Sequence, residues 1–125
     1  MYKHNFHPSI LREYDIRGII NETLFEKDAF MIGYFFGLIC KEKNLNGTTT
    51  VALSMDGRLS SLKLKKQIKL GLCMSGCNVI DLGLNPTPIL YFANHNLKTD
   101  GAIQITGSHN PKDYNGLKII MDGHA

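Results

Sequence analysis

Segments of strand period and helix period alternate along this chain, and the alternation leaves few architectures open. Thr50 to Met55 is short, apolar and rich in β-branched residues, as a strand requires. Before it, Asp28 to Lys43 places Phe30, Gly33, Gly37 and Cys40 on one helical face, with Ile32, Phe36 and Ile39 beside them. Asp28 or Thr23 is the expected cap. The Gly33-x-x-x-Gly37 spacing reads as close packing against a neighbouring element. After the Asp56-Gly57 turn, a second helix is expected from a Ser60 or Ser61 cap to about Ser75. Leu64, Ile68, Gly71 and Leu72 face inward, and Gly76 supplies the left-handed stop.

Further strands are expected at Ile16 to Ile20, Asn78 to Leu82, Ala102 to Thr106 and Leu117 to Met121. A short helix starts at Thr87-Pro88 and ends near Asn96, and an Asn115-Gly116 turn precedes the last strand. This order predicts an α/β fold, a single domain with a mixed sheet sandwiched between helices. Ligands of such sheets bind beyond the carboxyl ends of the strands, which here release the loops after Met55, Leu82 and Thr106.

The chain has 125 residues, 43% of them hydrophobic and 20% charged, which suits one folded domain. A net charge of +3 is too small to argue for nucleic acid. Lys63, Lys65, Lys66 and Lys69 read as the solvated face of a helix. The most apolar stretch, Ala29 to Cys40, is twelve residues long, too short for a bilayer. Cys40, Cys73 and Cys77 are an odd number and complete no zinc pattern, so reduced thiols and a cytoplasmic location are expected. Cys73 and Cys77 are placed near the buried side of a helix end, and His4-x-x-His7 at the surface.

The loop after Thr106 carries the chemistry. It reads Thr106-Gly107-Ser108-His109-Asn110-Pro111-Lys112-Asp113-Tyr114-Asn115-Gly116-Leu117-Lys118. Gly107 removes a side chain beside Ser108, so a bulky partner can approach the backbone. Pro111 stiffens the exit and disfavours helical geometry at Asn110. A hydroxyl, an imidazole and two ammonium groups fall within eleven residues, a pattern suited to phosphate.

This segment, with its Thr-Gly-Ser-His-Asn-Pro and Tyr-Asn-Gly-x-Lys, resembles the active-serine loop of the α-D-phosphohexomutases. That family includes the phosphomannomutases and phosphoglucomutases. Tyr14-Asp15-Ile16-Arg17-Gly18 resembles the family's N-terminal motif. Met55-Asp56-Gly57-Arg58-Leu59-Ser60-Ser61 is similar to its Gly-Arg-Asp-x-Arg turn, with Ser54-Met55 standing where the family has Gly-Arg. Asn78 to Pro88 matches the family style as well.

The resemblance implies that Ser108 carries phosphate and gives it to a hexose phosphate. It implies that Arg17 binds phosphate and assists transfer, with Tyr14 near it, that Lys118 moves a proton beside the serine, and that His109 positions the site. Asn110 can hydrogen-bond a phosphate or brace the turn. Mg²⁺ is implied as the cofactor, held by Ser108 as phosphoserine and by an aspartate-rich loop of a second domain that nothing in this sequence matches. On this reading residues 1–125 are an N-terminal active-serine domain, incomplete at its C-terminal end. Alone it is expected to be inactive, and to self-associate through apolar surface that other domains would cover.

The alternative within the same descent is a non-catalytic remnant or binding fragment. A serine hydrolase fits poorly, since Ser108 lacks a Gly-x-Ser-x-Gly elbow. Neither Gly-x-Gly-x-x-Gly nor a P-loop is present for a nucleotide.

Overall fold

The computed structural model describes residues 4–6, 15–44, 47–58, 60–85, 90, 99–107 and 114–121. Five strands and two helices follow one another as β1 (Asp15–Ile19), α1 (Glu26–Lys43), β2 (Thr50–Met55), α2 (Ser61–Met74), β3 (Asn78–Leu84), β4 (Gly101–Ile105) and β5 (Tyr114–Met121). The strands form one mixed sheet in the order β1-β5-β4-β2-β3. β2 runs parallel to β3 and β4, while β5 is antiparallel to β4 and β1. The carboxyl ends of β1, β2, β3 and β4 therefore share one edge of the sheet.

Both helices cover the same sheet face. Ile16, Val51, Leu53, Ile103, Ile105 and Leu117 meet Ile32, Phe36, Leu64, Ile68 and Leu72 in the main core. The opposite face carries a smaller cluster of Ala52, Ala102, Ile120 and Leu90. Leu90 is helical and fully buried. The rest of the expected Thr87 to Asn96 helix lies outside the described residues.

α1 and α2 cross closely because glycines meet backbone. A Cβ at Gly33 would strike the Ile68 carbonyl, and one at Gly71 would strike the Phe30 carbonyl and the Tyr34 nitrogen. The Gly33-x-x-x-Gly37 spacing thus serves helix packing. Gly76 ends α2 with φ 96°, the left-handed stop that its position requires. Lys63, Lys66 and Lys69 are exposed, and Lys65 and Lys69 pair with Asp81 at 2.9 and 3.7 Å. No helix among the described residues is long and apolar enough to cross a membrane.

Several expectations need correction. α1 begins at Glu26, so Asp28 is not its cap; it is the third helical residue and accepts the Phe25 N–H at 2.9 Å. Thr23 instead accepts the Ile19 N–H. His4 is no surface group, because its Nε2 lies 2.6 Å from the buried Asp28 carboxylate. His7 lies outside the described residues. Cys77 is buried as expected, but Cys73 is exposed, one helical turn before the stop. Asn115-Gly116 is not a turn. Both residues sit inside β5, paired with Gly18 and Arg17 of β1. The local turn signal yields to sheet pairing, since a Cβ at Gly116 would strike the Ile16 carbonyl of β1.

Candidate active site

At the shared carboxyl edge, Asp56 ties the end of β2 to the end of β4. Its N–H donates to the Ile105 carbonyl at 2.9 Å, and its carboxylate accepts the Gly107 N–H at 3.0 Å. The same carboxylate accepts the Ser61 hydroxyl at 2.6 Å and the Arg58 N–H and Nε at 3.1 and 3.3 Å. Burial pushes the Asp56 carboxyl up, but the bonds from Ser61, the Arg58 and Gly107 N–H groups and the Thr106 hydroxyl outweigh it and hold the group below the usual range. Gly107 is the residue immediately before Ser108, so this carboxylate fixes the backbone that leads into the serine.

Two guanidinium groups flank that backbone. Arg58 packs against Gly107, where a Cβ would collide with it, and donates to the Tyr114 carbonyl at 3.3 Å. Gly107 therefore does permit a close approach, and the partner is Arg58. Arg17 is 5% exposed, and its Nη1 donates to the Thr106 carbonyl. A buried cation in this position supplies fixed positive charge beside the strand end. Asn115 braces the far side by donating its amide to Ser60 and Ser61 Oγ at 2.8 and 3.0 Å. Ser60 stands at the start of α2, yet its side chain makes no capping bond.

Lys118 is half-buried on β5, opposite Gln104 of β4. It is two residues from Gly116, the register partner of Arg17, so Lys118 and Arg17 share a sheet face. Arg17 and Lys118 thus belong to the sheet edge and face that lead into the serine loop. Tyr14, Ser108, His109 and Asn110 lie outside the described residues. In the sequence Asp56 reads only as a turn residue, and Arg58 has no evident task. Asp-Gly-Arg followed by two serines, at the end of a strand, was the available signal.

Two depressions border this edge. One is lined by Asp56, Gly57, Leu84 and Asn85. The other lies between the β1–α1 turn and α2, and its lining includes Asn21, Glu26, Ser60 and Lys63. Among the described residues, no three His, Cys, Asp or Glu side chains group to hold a metal.

The anchor makes a prediction about acid. A carboxyl whose folded pKa is depressed contributes stability that is complete above its unfolded value, about 3.9, and is lost as pH falls through the folded value. Asp56→Asn should lower stability by about 2 kcal/mol at pH 7, and the difference from the parent should shrink below about pH 4. Urea titrations at pH 7 and pH 3 measure both; a pH-independent difference would count against the anchor.

Comparison with known proteins agrees with this geometry. Residues 8–125 match the family model described as phosphoglucomutase/phosphomannomutase, alpha/beta/alpha domain I. A phosphomannomutase/phosphoglucomutase of Pseudomonas aeruginosa is 46% identical over 117 residues, covering 94% of this chain and 25% of that protein. A phosphoglucomutase of Neisseria meningitidis is 45% identical over 114 residues, covering 91% of this chain and 24% of that protein. The crystal structure of a phosphoglucomutase/phosphomannomutase family protein from Burkholderia thailandensis superposes with a TM-score of 0.86 at 38% identity. It covers 95% of this chain and 27% of that one. The chain thus spans about a quarter of the length of these relatives. With the family model matched over nearly its whole length, the chain belongs to the phosphoglucomutase/phosphomannomutase family, in which it corresponds to domain I.

Proposed function

We propose that this chain is the active-serine domain of a phosphomannomutase/phosphoglucomutase, in which Ser108 carries the phosphate exchanged with a hexose phosphate. The observation that carries the reading is the fixed approach to Ser108. Asp56 holds the Gly107 N–H, while Arg58 packs on Gly107 and Arg17 donates to Thr106. Phosphoryl transfer needs positioning and charge stabilisation above all. Both must be in place before reaction, and the β2 and β4 ends provide a rigid frame for them.

On this reading the sugar hydroxyl loses its proton as its oxygen bonds to phosphorus. The bond from phosphorus to Ser108 Oγ breaks, and Lys118 relays the proton towards the serine oxygen. Net movement of phosphate on the sugar then requires Ser108 to be rephosphorylated from a different sugar position. Splitting the transfer at a covalent intermediate replaces one difficult step with two easier ones. Arg17 offers its guanidinium to the phosphate, while His109, Asn110 and Tyr14 complete the contacts that the family motifs imply. A cytoplasmic location accompanies this reading.

Magnesium belongs to the proposal through the family resemblance alone. The described residues do not fit it: no three of their acidic, imidazole or thiol side chains group together, and Asp56 is occupied by the donors named above.

The test is a coupled assay on the whole protein that carries this domain, with glucose 1-phosphate or mannose 1-phosphate, a bisphosphorylated hexose and Mg²⁺. Ser108→Ala is expected to lower kcat by roughly 10⁴-fold or more. The 125-residue chain alone is expected to show no turnover. Substantial mutase turnover by Ser108→Ala would reject the assignment of the serine.

A further inference from the structure

The segment that carries Ser108 runs between two described stems, Thr106-Gly107 after β4 and Tyr114-Asn115 at the start of β5. The stems share a backbone bond from the Thr106 N–H to the Gly116 carbonyl at 2.9 Å. Beyond it, side chains from the β2–α2 region reach both stems. The Gly107 N–H donates to Asp56 at 3.0 Å. Arg58 donates to the same carboxylate and to the Tyr114 carbonyl, each at 3.3 Å.

A second connection runs through Asn115, and the direction of each of its bonds follows from proton counting. Asn115 is fully buried, and its Oδ1 accepts the Gly116 N–H at 2.9 Å. That bond fixes the orientation of the amide, so its NH₂ group donates to Ser60 and Ser61 Oγ at 2.8 and 3.0 Å. Ser61 is also fully buried, and its hydroxyl has one proton. That proton goes to Asp56 Oδ1 at 2.6 Å, because an ionised carboxylate only accepts. The donor order is therefore Asn115 to Ser61 to Asp56, and Asp56 Oδ2 takes the Gly107 N–H. The two stems thus meet, from opposite sides, on one carboxylate.

We propose that Ser61 and Asn115 are positioning residues for the phosphate carrier. With Asp56 they close a clamp that holds both stems of the Ser108 segment in one geometry before transfer. Buried hydrogen bonds that run in one direction reinforce one another, which suits a part that must not rearrange during reaction. The catalytic consequence rests on the role proposed for Ser108 above; the clamp itself does not.

The experiment has two arms, both on the whole protein. In the first, hydrogen–deuterium exchange is read at the Gly107 amide by mass spectrometry with fragmentation. Ser61→Ala should speed exchange there roughly tenfold and leave Val51 to Leu53 of β2 unchanged. Asn115→Ala should speed it in the same direction. Ser61→Thr keeps the hydroxyl and should keep the protection, which preserves the test if the alanine variant folds poorly. Equal exchange at Gly107 in the parent and in Ser61→Ala, or equal acceleration throughout β2, would overturn the clamp. Loss of protection in Ser61→Thr would overturn it as well.

In the second arm, Ser61→Ala should lose roughly tenfold in kcat with KM unchanged, and Ser61→Thr should retain most of it. Combined with Asp56→Asn, Ser61→Ala should add little to the loss that Asp56→Asn causes alone, since the serine acts through that carboxylate. An unchanged kcat, or losses that multiply in full, would overturn the positioning role. If Ser108→Ala itself retains turnover, the assignment of the serine fails while the exchange measurement still judges the clamp, so the two failures are distinguishable.

Discussion

Gly71→Val should be the most destabilising single substitution considered for this fold. The α1–α2 crossing is set by backbone, not by side chains. A Cβ at Gly71 would overlap the Phe30 carbonyl and the Tyr34 nitrogen, and neither atom can rotate away. The helices must therefore separate, which opens the layer formed by Ile32, Phe36, Leu64, Ile68 and Leu72 over the sheet. Overpacking of this kind costs about 3 kcal/mol, equivalent to a fall of roughly 10–20 °C in Tm for a domain of this size. Leu70→Val is the matched control, because Leu70 is 53% exposed and loses little contact. Thermal unfolding followed by circular dichroism measures both. A Gly71→Val protein melting within about 2 °C of the parent would show that the crossing adapts.

Arg17→Met should have the larger effect on chemistry. Methionine retains most of the length of the buried side chain and removes its charge. Arg17 is 5% exposed and donates to the Thr106 carbonyl, so it cannot be replaced by a mobile surface lysine without rebuilding the β1 edge. Loss of a fixed cation at a phosphoryl group lowers kcat by roughly 10²–10³-fold. The coupled assay on the whole protein measures it, alongside an unfolding curve to separate the chemical loss from a structural one. A fall of less than about threefold with intact folding would remove Arg17 from the proposed site.

The parts of the fold legible in sequence are those set by local chemistry. Thr50–Met55 forms the strand that its β-branched run predicts, and Leu64, Ile68, Gly71 and Leu72 are the buried face of α2. Gly76 stops that helix with the expected positive φ. What the sequence conceals is long-range. Asp56 looks like a turn residue, yet its carboxylate holds the N–H of Gly107, which is 51 positions away. Asn115 and Gly116 look like a turn, yet one amide braces the start of α2 and the other residue leaves room for β1. The N-cap of α1 has no local signal, because the Phe25 side chain there makes no capping bond; the helix start is held from within by Asp28. Arg17 and Lys118 were singled out from motifs. That they share a sheet face follows only from the antiparallel β1–β5 register, which no local pattern encodes.

The central claim is that the anchored strand end presents Ser108 as a phosphate carrier. Its most direct test is to incubate the whole protein with a bisphosphorylated hexose and Mg²⁺, then map phosphate by tandem mass spectrometry. One phosphate per chain is expected, on Ser108, lost on further incubation with hexose monophosphate as the bisphosphate forms. Phosphate on another residue, or a chain that takes up none while the protein turns substrate over, would contradict it.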